Sequence, residues 1–377
     1  MDGTCHSILR TLGFRLIFAV IYVLLSTSLL TGFLIKNPKS LHRMLKITGN
    51  YFLGIFLYTL VIILLADFGR ILLKYVFHAS WIHSRTAFTV TGAICALLIL
   101  LLSACGIFHA KYIKTTSYDV IINKTIPERT SMKVVLLADT HFGYNAGVLH
   151  ARELVRKINK QKPDLVCIAG DIFDNEYDAI RNPEKLEKTL RGIKSTYGVY
   201  ACWGNHDLNE EILAGFTFKH KDGDLSDIKD PRMKKFLEDS NIHILEDESV
   251  LINDQFYVIG RKDASLTEKI HETRKAPAQL TEKLNRDKPI IMIDHQPKEL
   301  QELADAGVDL DLCGHTHNGQ TFPGNFTIKL MWENPCGLLS KDNMTNITTS
   351  GAGVWGPAMR IGTDSEICSI NIQLKNS

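Results

Sequence analysis

The chain has 377 residues, enough for more than one structural unit. Its 43 Lys and Arg nearly balance its 41 Asp and Glu, which leaves no electrostatic footprint for nucleic acid, so no nucleic-acid partner is expected. The average composition of the whole chain conceals two different parts. Residues 1–110 carry long apolar runs, whereas residues 132–377 are mixed in charge and rich in Gly, Asp and His.

Three apolar runs within the first 110 residues predict a membrane region. They fill about 16–35, 48–70 and 86–108. A bilayer core about 30 Å thick needs about 20 apolar residues in a helix, and runs this long rarely form the core of a soluble protein. A cleaved signal peptide does not fit three successive runs. The sequence therefore predicts an integral membrane protein with three transmembrane helices, placed in the cell membrane.

The orientation of these spans is weakly specified. Basic residues near the span ends are almost equally numerous on the two sides, so the positive-inside rule favours a cytoplasmic large domain only slightly. The eight cysteines have no C-x-x-C spacing and do not resemble a disulfide framework. This usage fits a reducing compartment without requiring one. The membrane face and the oligomeric state stay open.

Residues 111–131 are predicted to form a polar connector, and residues 132–377 an α/β domain. Apolar segments in the domain alternate with stretches of helical periodicity, the pattern of βα units. Five of the apolar segments run directly into His, Asp or Asn. Ligand sites in open α/β sheets gather beyond the carboxyl ends of the strands, so we expect these five polar clusters to converge.

The five clusters offer carboxylates, imidazoles and an amide, but no thiolate. They are Asp139/His141, Asp171/Asp174, Asn205/His206/Asp207, Asp294/His295 and His315/His317. This donor set suits Mn²⁺, Fe or Zn²⁺ rather than a structural cysteine–zinc site. Any one of the clusters is an ordinary loop feature, but five of them, each at a strand end, favour a metal site.

The order D-x-H, G-D-x-x-D, G-N-H-D, H and G-H-x-H resembles that of the calcineurin-like metallophosphoesterases. The resemblance covers about residues 132–377, and "IDHQP", "GHTHNGQ" and "SGAGVWGPAMRIGTDSEI" look most like the membrane-anchored bacterial branch of that superfamily. It implies the calcineurin-like phosphoesterase fold, with central β-sheets sandwiched by helices. Asn318 stands where this branch often has Gly, which puts only the local loop shape in doubt.

The resemblance also implies a site for two divalent metal ions that share one carboxylate. The first ion would be held by Asp139, His141, Asp171 and His317, and the second by Asp171, Asn205, His295 and His315. Two such ions can activate a hydroxide and clamp phosphoryl oxygens.

Proton transfer to the leaving oxygen needs a further group. His206, next to Asn205, is the expected general acid. By the family resemblance, Asp174 orients His206 through a hydrogen bond, and the alternative for Asp174 is an ordinary loop carboxylate. Asp207 is predicted to close the turn as a structural residue.

The predicted function is that of a membrane-anchored, metal-dependent phosphohydrolase. Its substrate could be a phosphomonoester, a diester or a pyrophosphate, either a small molecule or a lipid-linked compound held near the lipid bilayer by the spans. The alternative is a non-catalytic metal-binding membrane scaffold or sensor, which predicts loss of some ligands or of the acid, yet all are present. A transporter is disfavoured because no cluster of charges lies near the middle of a span.

Overall fold

A computed structural model of the chain describes residues 12–213, 216–218 and 229–375. The chain divides into two compact units, which we call the helical unit and the sheet unit. The helical unit comprises Met1–Cys105, Ile212–Thr217 and Gly356–Ala358, and the sheet unit comprises Gly106–Glu211, Phe218–Trp355 and Met359–Ser377.

The secondary structure is α/β throughout the sheet unit, as predicted. The α-helices are α1 (Leu12–Ser26), α2 (Ser28–Leu34), α3 (Lys39–Tyr75), α4 (Arg85–His109), α5 (Val148–Gln161), α6 (Pro183–Leu190), α7 (Pro231–Asp239), α8 (Ala264–Lys269), α9 (Pro277–Thr281), α10 (Leu300–Asp305) and α11 (Gly324–Thr327). The strands are β1 (Ile113–Ile122), β2 (Ser131–Leu137), β3 (Leu165–Ala169), β4 (Val199–Cys202), β5 (Glu211–Leu213), β6 (Phe216–Phe218), β7 (Ile242–Ile244), β8 (Glu248–Ile252), β9 (Phe256–Gly260), β10 (Ile290–Ile293), β11 (Leu310–Cys313), β12 (Gly337–Lys341), β13 (Met344–Thr348) and β14 (Ser365–Leu374).

The helical unit contains α3 and, as far as Cys105, α4. Each of these helices is long and apolar enough to cross a membrane. The first predicted span is instead a pair, α1 and α2, bent by 50°. The hydroxyls of Thr27 and Ser28 donate to the carbonyls of Val23 and Leu25 at this point, and such back-bonding bends helices. The structure therefore offers two spans, or three if the bent pair counts as one.

The segment 111–131, predicted as a polar connector, contains the edge strand β1. It pairs in parallel with β14 over ten residues, from Ile113 opposite Ser365 to Ile122 opposite Leu374. Ile113, Val120 and Ile122 are buried, whereas polar residues between them are exposed. The polar character that suggested a connector is the outer face of a half-buried strand.

The sheet unit is built on two six-stranded sheets. One has the order β1-β14-β2-β3-β4-β7, and the other has the order β12-β13-β11-β10-β9-β8. From β2 to β7 in the first sheet, and from β13 to β9 in the second, all neighbours are parallel. Each of the five predicted polar clusters follows the carboxyl end of one of these strands. The five strands are β2, β3, β4, β10 and β11.

Apolar side chains from both sheets form one shared core. Leu136 and Cys167 of the first sheet lie in the same buried cluster as Ile291 and Leu312 of the second. A second cluster joins the outer face of the first sheet to α5, α6 and α7, and a third joins the second sheet to α9 and α10. The result is two packed sheets with helices on both outer faces, which is the predicted fold class.

Candidate metal centre

The polar clusters converge because the parallel strands deliver them to a common edge. β2, β3 and β4 are followed within three residues by Asp139, Asp171 and Asn205. The second sheet delivers His295 two residues after β10 and His315 two residues after β11. Convergence of residues so distant in sequence is the geometry expected of a ligand site in such sheets.

A first group of ligand atoms comes from Asp139, His141 and His317. One oxygen or nitrogen from each lies within 4.8 Å of the others, and all three residues are buried. Nε2 of His141 is 3.1 Å from Nε2 of His317, and Nε2 of His317 is 3.8 Å from Oδ1 of Asp139.

A second group comes from Asp171, His295 and His315, again within 4.8 Å of one another. Nε2 of His295 lies 3.2 Å from Oδ2 of Asp171 and 3.1 Å from Nδ1 of His315. The amide oxygen of Asn205 is 3.0 Å from the same Nε2. Asn205 thus extends this group to four residues, the number predicted from the sequence.

Asp171 links the two groups. Its Oδ2 is 3.2 Å from Nε2 of His295 in the second group and 3.9 Å from Nε2 of His141 in the first. The seven residues predicted as ligands are therefore brought together, with the shared carboxylate between the two sets.

Backbone N–H groups hold both carboxylates in place. The N–H of His315 donates to both oxygens of Asp139, at 3.0 and 3.1 Å. The N–H of His206 donates to Oδ1 of Asp171 at 2.7 Å. Five of the ligand residues have left-handed backbones: Asp139, His141, Asp171, His315 and His317, with φ between 44° and 73°. Such conformations cost about 1–3 kcal/mol each and persist where the surroundings enforce them.

The electrostatics favour an ionised Asp171 beside two neutral imidazoles, those of His315 and His317. Burial instead raises the pKa of Asp139 to about 6, and Asp171 outweighs burial and holds the pKa of His295 well above its ordinary value. Burial opposes charge on Asp171, yet His295 and His206 outweigh it and hold the pKa of Asp171 well below its ordinary value. Burial lowers the pKa of His315 to about 3 and that of His317 well below its usual range. Unprotonated nitrogens next to an ionised carboxylate are suited to bind a divalent cation.

The ring orientations test whether a metal fits. Nδ1 of His295 lies 2.8 Å from the carbonyl oxygen of Ala169, so its N–H donates there and Nε2 faces the second group. Two imidazole nitrogens 3.1 Å apart, as in His141 and His317, share a proton unless a cation takes both lone pairs. Both arrangements fit divalent metals with nitrogen and oxygen ligands.

His206 has a different partner from the one predicted. Its Nδ1 lies 2.6 Å from Oδ1 of Asn175. Oδ1 of Asp174 lies instead 3.6 Å from Nδ1 of His141, where it supports a ligand of the first group. The left-handed backbone of Asn175, with φ 59°, turns this side chain rather than that of Asp174 toward His206. The structure thus assigns the orienting contact to the next residue along the chain.

Two further cluster members lie outside both groups. Asp207 closes the turn as predicted, because its carboxylate accepts from the N–H groups of Gly204 and Phe173 at 2.7 and 2.8 Å. Asp294 belongs to neither group and is paired with two arginines, the buried Arg261 at 3.2 Å and the partly buried Arg274 at 2.9 Å.

Residues that the sequence did not single out complete the site. The guanidinium of Arg360 is fully buried, lies 3.2 Å from Nδ1 of His317 and donates to the carbonyl of Ser350 at 2.6 Å. The ring of Trp332 packs edge-on against His315, with 5.1 Å between centroids, and the ammonium of Lys298 lies over Trp332 at 5.4 Å. No pattern in the sequence marks these roles, because each depends on loops that fold back from other parts of the chain.

Gly204 shows how tightly the backbone encloses the shared carboxylate. A Cβ on Gly204 would lie 2.2 Å from Oδ1 of Asp171, whereas a Cβ on Gly147 would meet nothing within 4 Å. We expect Gly204→Ala to lower stability by about 1–3 kcal/mol, as overpacking does, and to reduce metal content. Thermal unfolding and elemental analysis of the full chain in detergent measure both effects. Gly147→Ala is the matched control, and equal behaviour of the two variants would contradict the crowding argument.

Comparisons with known proteins identify the family of the chain. The family described as calcineurin-like phosphoesterase matches residues 132–319. An uncharacterized metallophosphoesterase of Campylobacter jejuni is 32% identical, over 66% of this chain and 60% of its own. A transmembrane protein with metallophosphoesterase domain from Bos taurus is 27% identical, over 74% of this chain and 62% of its own.

A more distant relative carries a more specific name. The UDP-2,3-diacylglucosamine pyrophosphatase LpxG of Chlamydia trachomatis is 23% identical, over 66% of this chain and 86% of its own. The chain spans about 60% of the length of the first two relatives, so each likeness concerns part of those proteins.

Proposed function

The chain belongs to the calcineurin-like phosphoesterases, and from that premise we propose that it is a membrane-anchored, metal-dependent phosphohydrolase. The observation that carries this proposal is the pair of ligand groups joined at Asp171, with the ring of His206 beside them. His206 lies 5.4 Å from His141 between ring centroids, within reach of a group bound at the first site. A metal site with a purely structural role would not need a histidine such as His206 beside its ligands.

The seven ligand residues would hold two divalent ions, of which Mn²⁺, Fe and Zn²⁺ suit the donors. When bound, such ions supply Lewis acidity toward phosphoryl oxygens and lower the pKa of water. The protein's own contribution is to fix the ligands. Asp139 and Asp171 are aligned by backbone N–H groups, and His295 is fixed by the carbonyl of Ala169.

His206 is proposed as the general acid. Its Nδ1 faces Oδ1 of Asn175, so the N–H donates there and Nε2 is the atom available to a substrate. Burial lowers the pKa of His206 to about 4, which keeps the ring neutral in the free protein. The negative charge of a bound phosphoryl group raises that pKa, so the ring can take up a solvent proton at Nε2 when substrate binds. Nε2 then gives this proton to the leaving oxygen, and the ring returns to its neutral form.

The substrate is proposed to be a phosphoester or pyrophosphate carried by a lipid or a small molecule. The ammonium of Lys298 lies over the ring of Trp332, which packs on His315, and its positive charge favours an anionic substrate at this side of the site. The LpxG relative, named for a diacylated nucleotide-sugar pyrophosphate, supports a lipid-linked substrate, as does the apolar character of α3 and α4. We propose that the chain is anchored in the cell membrane. The distribution of basic residues near the span ends slightly favours a cytoplasmic location of the metal centre.

The test is a substrate panel on the purified full chain. The protein in detergent is stripped with a chelator, reloaded with Mn²⁺, Zn²⁺ or Fe²⁺, and offered an aryl phosphomonoester, an aryl phosphodiester and a nucleotide-diphospho-lipid. We expect metal-dependent hydrolysis of at least one compound. A chain that binds both metals and hydrolyses none of the three would instead favour the scaffold or sensor.

A further inference from the structure

A loop that begins and ends at the metal centre carries an exposed apolar surface. Residues 321–332, which we call the apolar loop, leave the site four residues after His317 and return to it at Trp332, whose ring packs on His315. Its exposed fractions are 48% for Phe322, 60% for Phe326, 88% for Leu330 and 73% for Met331. Lys329 is its single charged residue.

This exposure does not come from a loosely held segment. Gly319 and Gly324 cross so closely that a Cβ on Gly319 would lie 2.3 Å from the backbone of Gly324. The N–H of Phe322 donates to the carbonyl of Ile361 at 2.8 Å. The neck of the loop is therefore fixed, and it holds four large apolar side chains in solvent. Clustered apolar exposure of this kind marks an interaction surface.

The same stretch that holds the loop also holds the end of a candidate span. Ile361, the partner of Phe322, follows Arg360, whose N–H donates to the carbonyl of Gly106 in the last turn of α4 at 3.0 Å. Nε2 of His109, the final residue of α4, lies 2.9 Å from Oδ1 of Asp364. Residues 360–364 therefore contact both the neck of the apolar loop and the C-terminal end of α4, where the apolar run of that helix stops.

Aromatic residues at that helix end have the character of a membrane interface. Phe108 and Tyr112 are exposed next to Lys111 and Lys114, and aromatic and basic residues gather where a span meets the headgroups. Through residues 360–364, the apolar loop is therefore tied to segment 108–114, which has the composition of a membrane interface.

We propose that the apolar loop inserts into the bilayer interface and holds the mouth of the metal centre against the lipid headgroups. Side chains of this kind enter roughly 5–10 Å below the headgroup level. Trp332 then lies between the lipid surface and His315, and Lys298 is positioned to meet an anionic headgroup. The substrate class that follows is a phosphoester or pyrophosphate on a lipid, entering from the membrane. This substrate assignment rests on the proposed function, whereas insertion of the loop does not.

The test is lipid-borne quenching of a fluorophore on the loop. Leu330→Cys carries an NBD label in a full chain whose Cys5, Cys95, Cys105 and Cys336 are serine, since the other native cysteines are buried. The chain is reconstituted in vesicles that contain brominated phosphatidylcholine. We expect blue-shifted emission and stronger quenching by bromines near the carbonyl end of the acyl chain than by deep ones.

The matched control is Leu251→Cys with the same label. Leu251 is 40% exposed on β8, whose turn into β9 lies at the end of the sheet away from the metal ligands. We expect water-like emission and no quenching there. Water-like emission at Leu330 as well would overturn the proposal.

A kinetic arm separates loop insertion from catalysis. Leu330→Asp combined with Met331→Asp should raise the KM for a lipid-linked phosphoester in mixed vesicles several-fold and leave the rate on a soluble aryl phosphoester unchanged. Equal KM values for variant and wild type would contradict delivery of substrate from the membrane. If the wild type hydrolyses neither compound, the proposed function fails, and the quenching result still decides whether the loop is inserted.

Discussion

Asp171→Asn is expected to remove metal from both ligand groups and to abolish most of the activity. The amide keeps the size of the carboxylate but loses the negative charge that lies 3.2 Å from His295 and 3.9 Å from His141. Loss of several kcal/mol of transition-state stabilisation corresponds to at least about a 10²–10³-fold fall in kcat/KM. Elemental analysis of the dialysed full chain, with rates on an aryl phosphoester, measures both quantities.

Two matched substitutions show whether the effect is specific to the shared position. Asp311→Asn changes a buried carboxylate outside both groups, whose pKa burial raises to about 7, and should keep both metals. Asp174→Asn removes the carboxylate 3.6 Å from Nδ1 of His141 and should weaken only the first site, by about 10–100-fold in affinity, as loss of such a supporting contact does. Retention of two metals by Asp171→Asn would contradict the bridging role.

His206→Ala is expected to keep both metals and to lose about 10²–10⁴-fold in turnover, the usual contribution of a positioned acid. The loss should be large for an alkyl ester, whose leaving oxygen needs a proton. It should be small for a nitrophenyl ester, because nitrophenolate departs without one. The measurement is the ratio of the two rates in variant and wild type, with metal content determined alongside.

Neighbouring variants sharpen this prediction. Asn175→Ala should follow His206→Ala in a milder form, because Asn175 makes the hydrogen bond to Nδ1 of His206. Asp174→Asn should behave differently, with altered metal content and a similar loss for both esters. An unchanged alkyl-to-nitrophenyl ratio in His206→Ala, or a variant without metal, would remove His206 from the acid role.

The sequence predicted the convergence of the site because strand ends are marked by local patterns. Each apolar run that ends in Asp, Asn or His places its polar residues at the carboxyl end of a strand, and parallel pairing brings those ends together. Asp207 could likewise be predicted, since closing a turn is a local matter. The choice between Asp174 and Asn175 could not, because it depends on one left-handed residue that decides which side chain faces His206.

The other differences between the sequence predictions and the structure arise from contacts that the local sequence pattern does not reveal. β1 could not be distinguished from a polar connector because its strand character comes from pairing with β14, about 250 residues later. A fragment that starts at residue 132 would lack β1 and leave β14 as an uncovered edge. Arg360 supports His317 through a loop that folds back on the site, and the bend between α1 and α2 depends on hydroxyl contacts at Thr27 and Ser28.

The most direct test of a two-metal phosphohydrolase is a metal titration of the stripped full chain, with bound metal and hydrolysis of an aryl phosphoester measured on the same samples. Seven ligand residues that share Asp171 predict saturation at two ions per chain, with activity that reaches its maximum only as the second ion binds. Saturation at one ion, or two bound ions with no hydrolysis of either soluble or lipid-linked phosphoesters, would contradict this account.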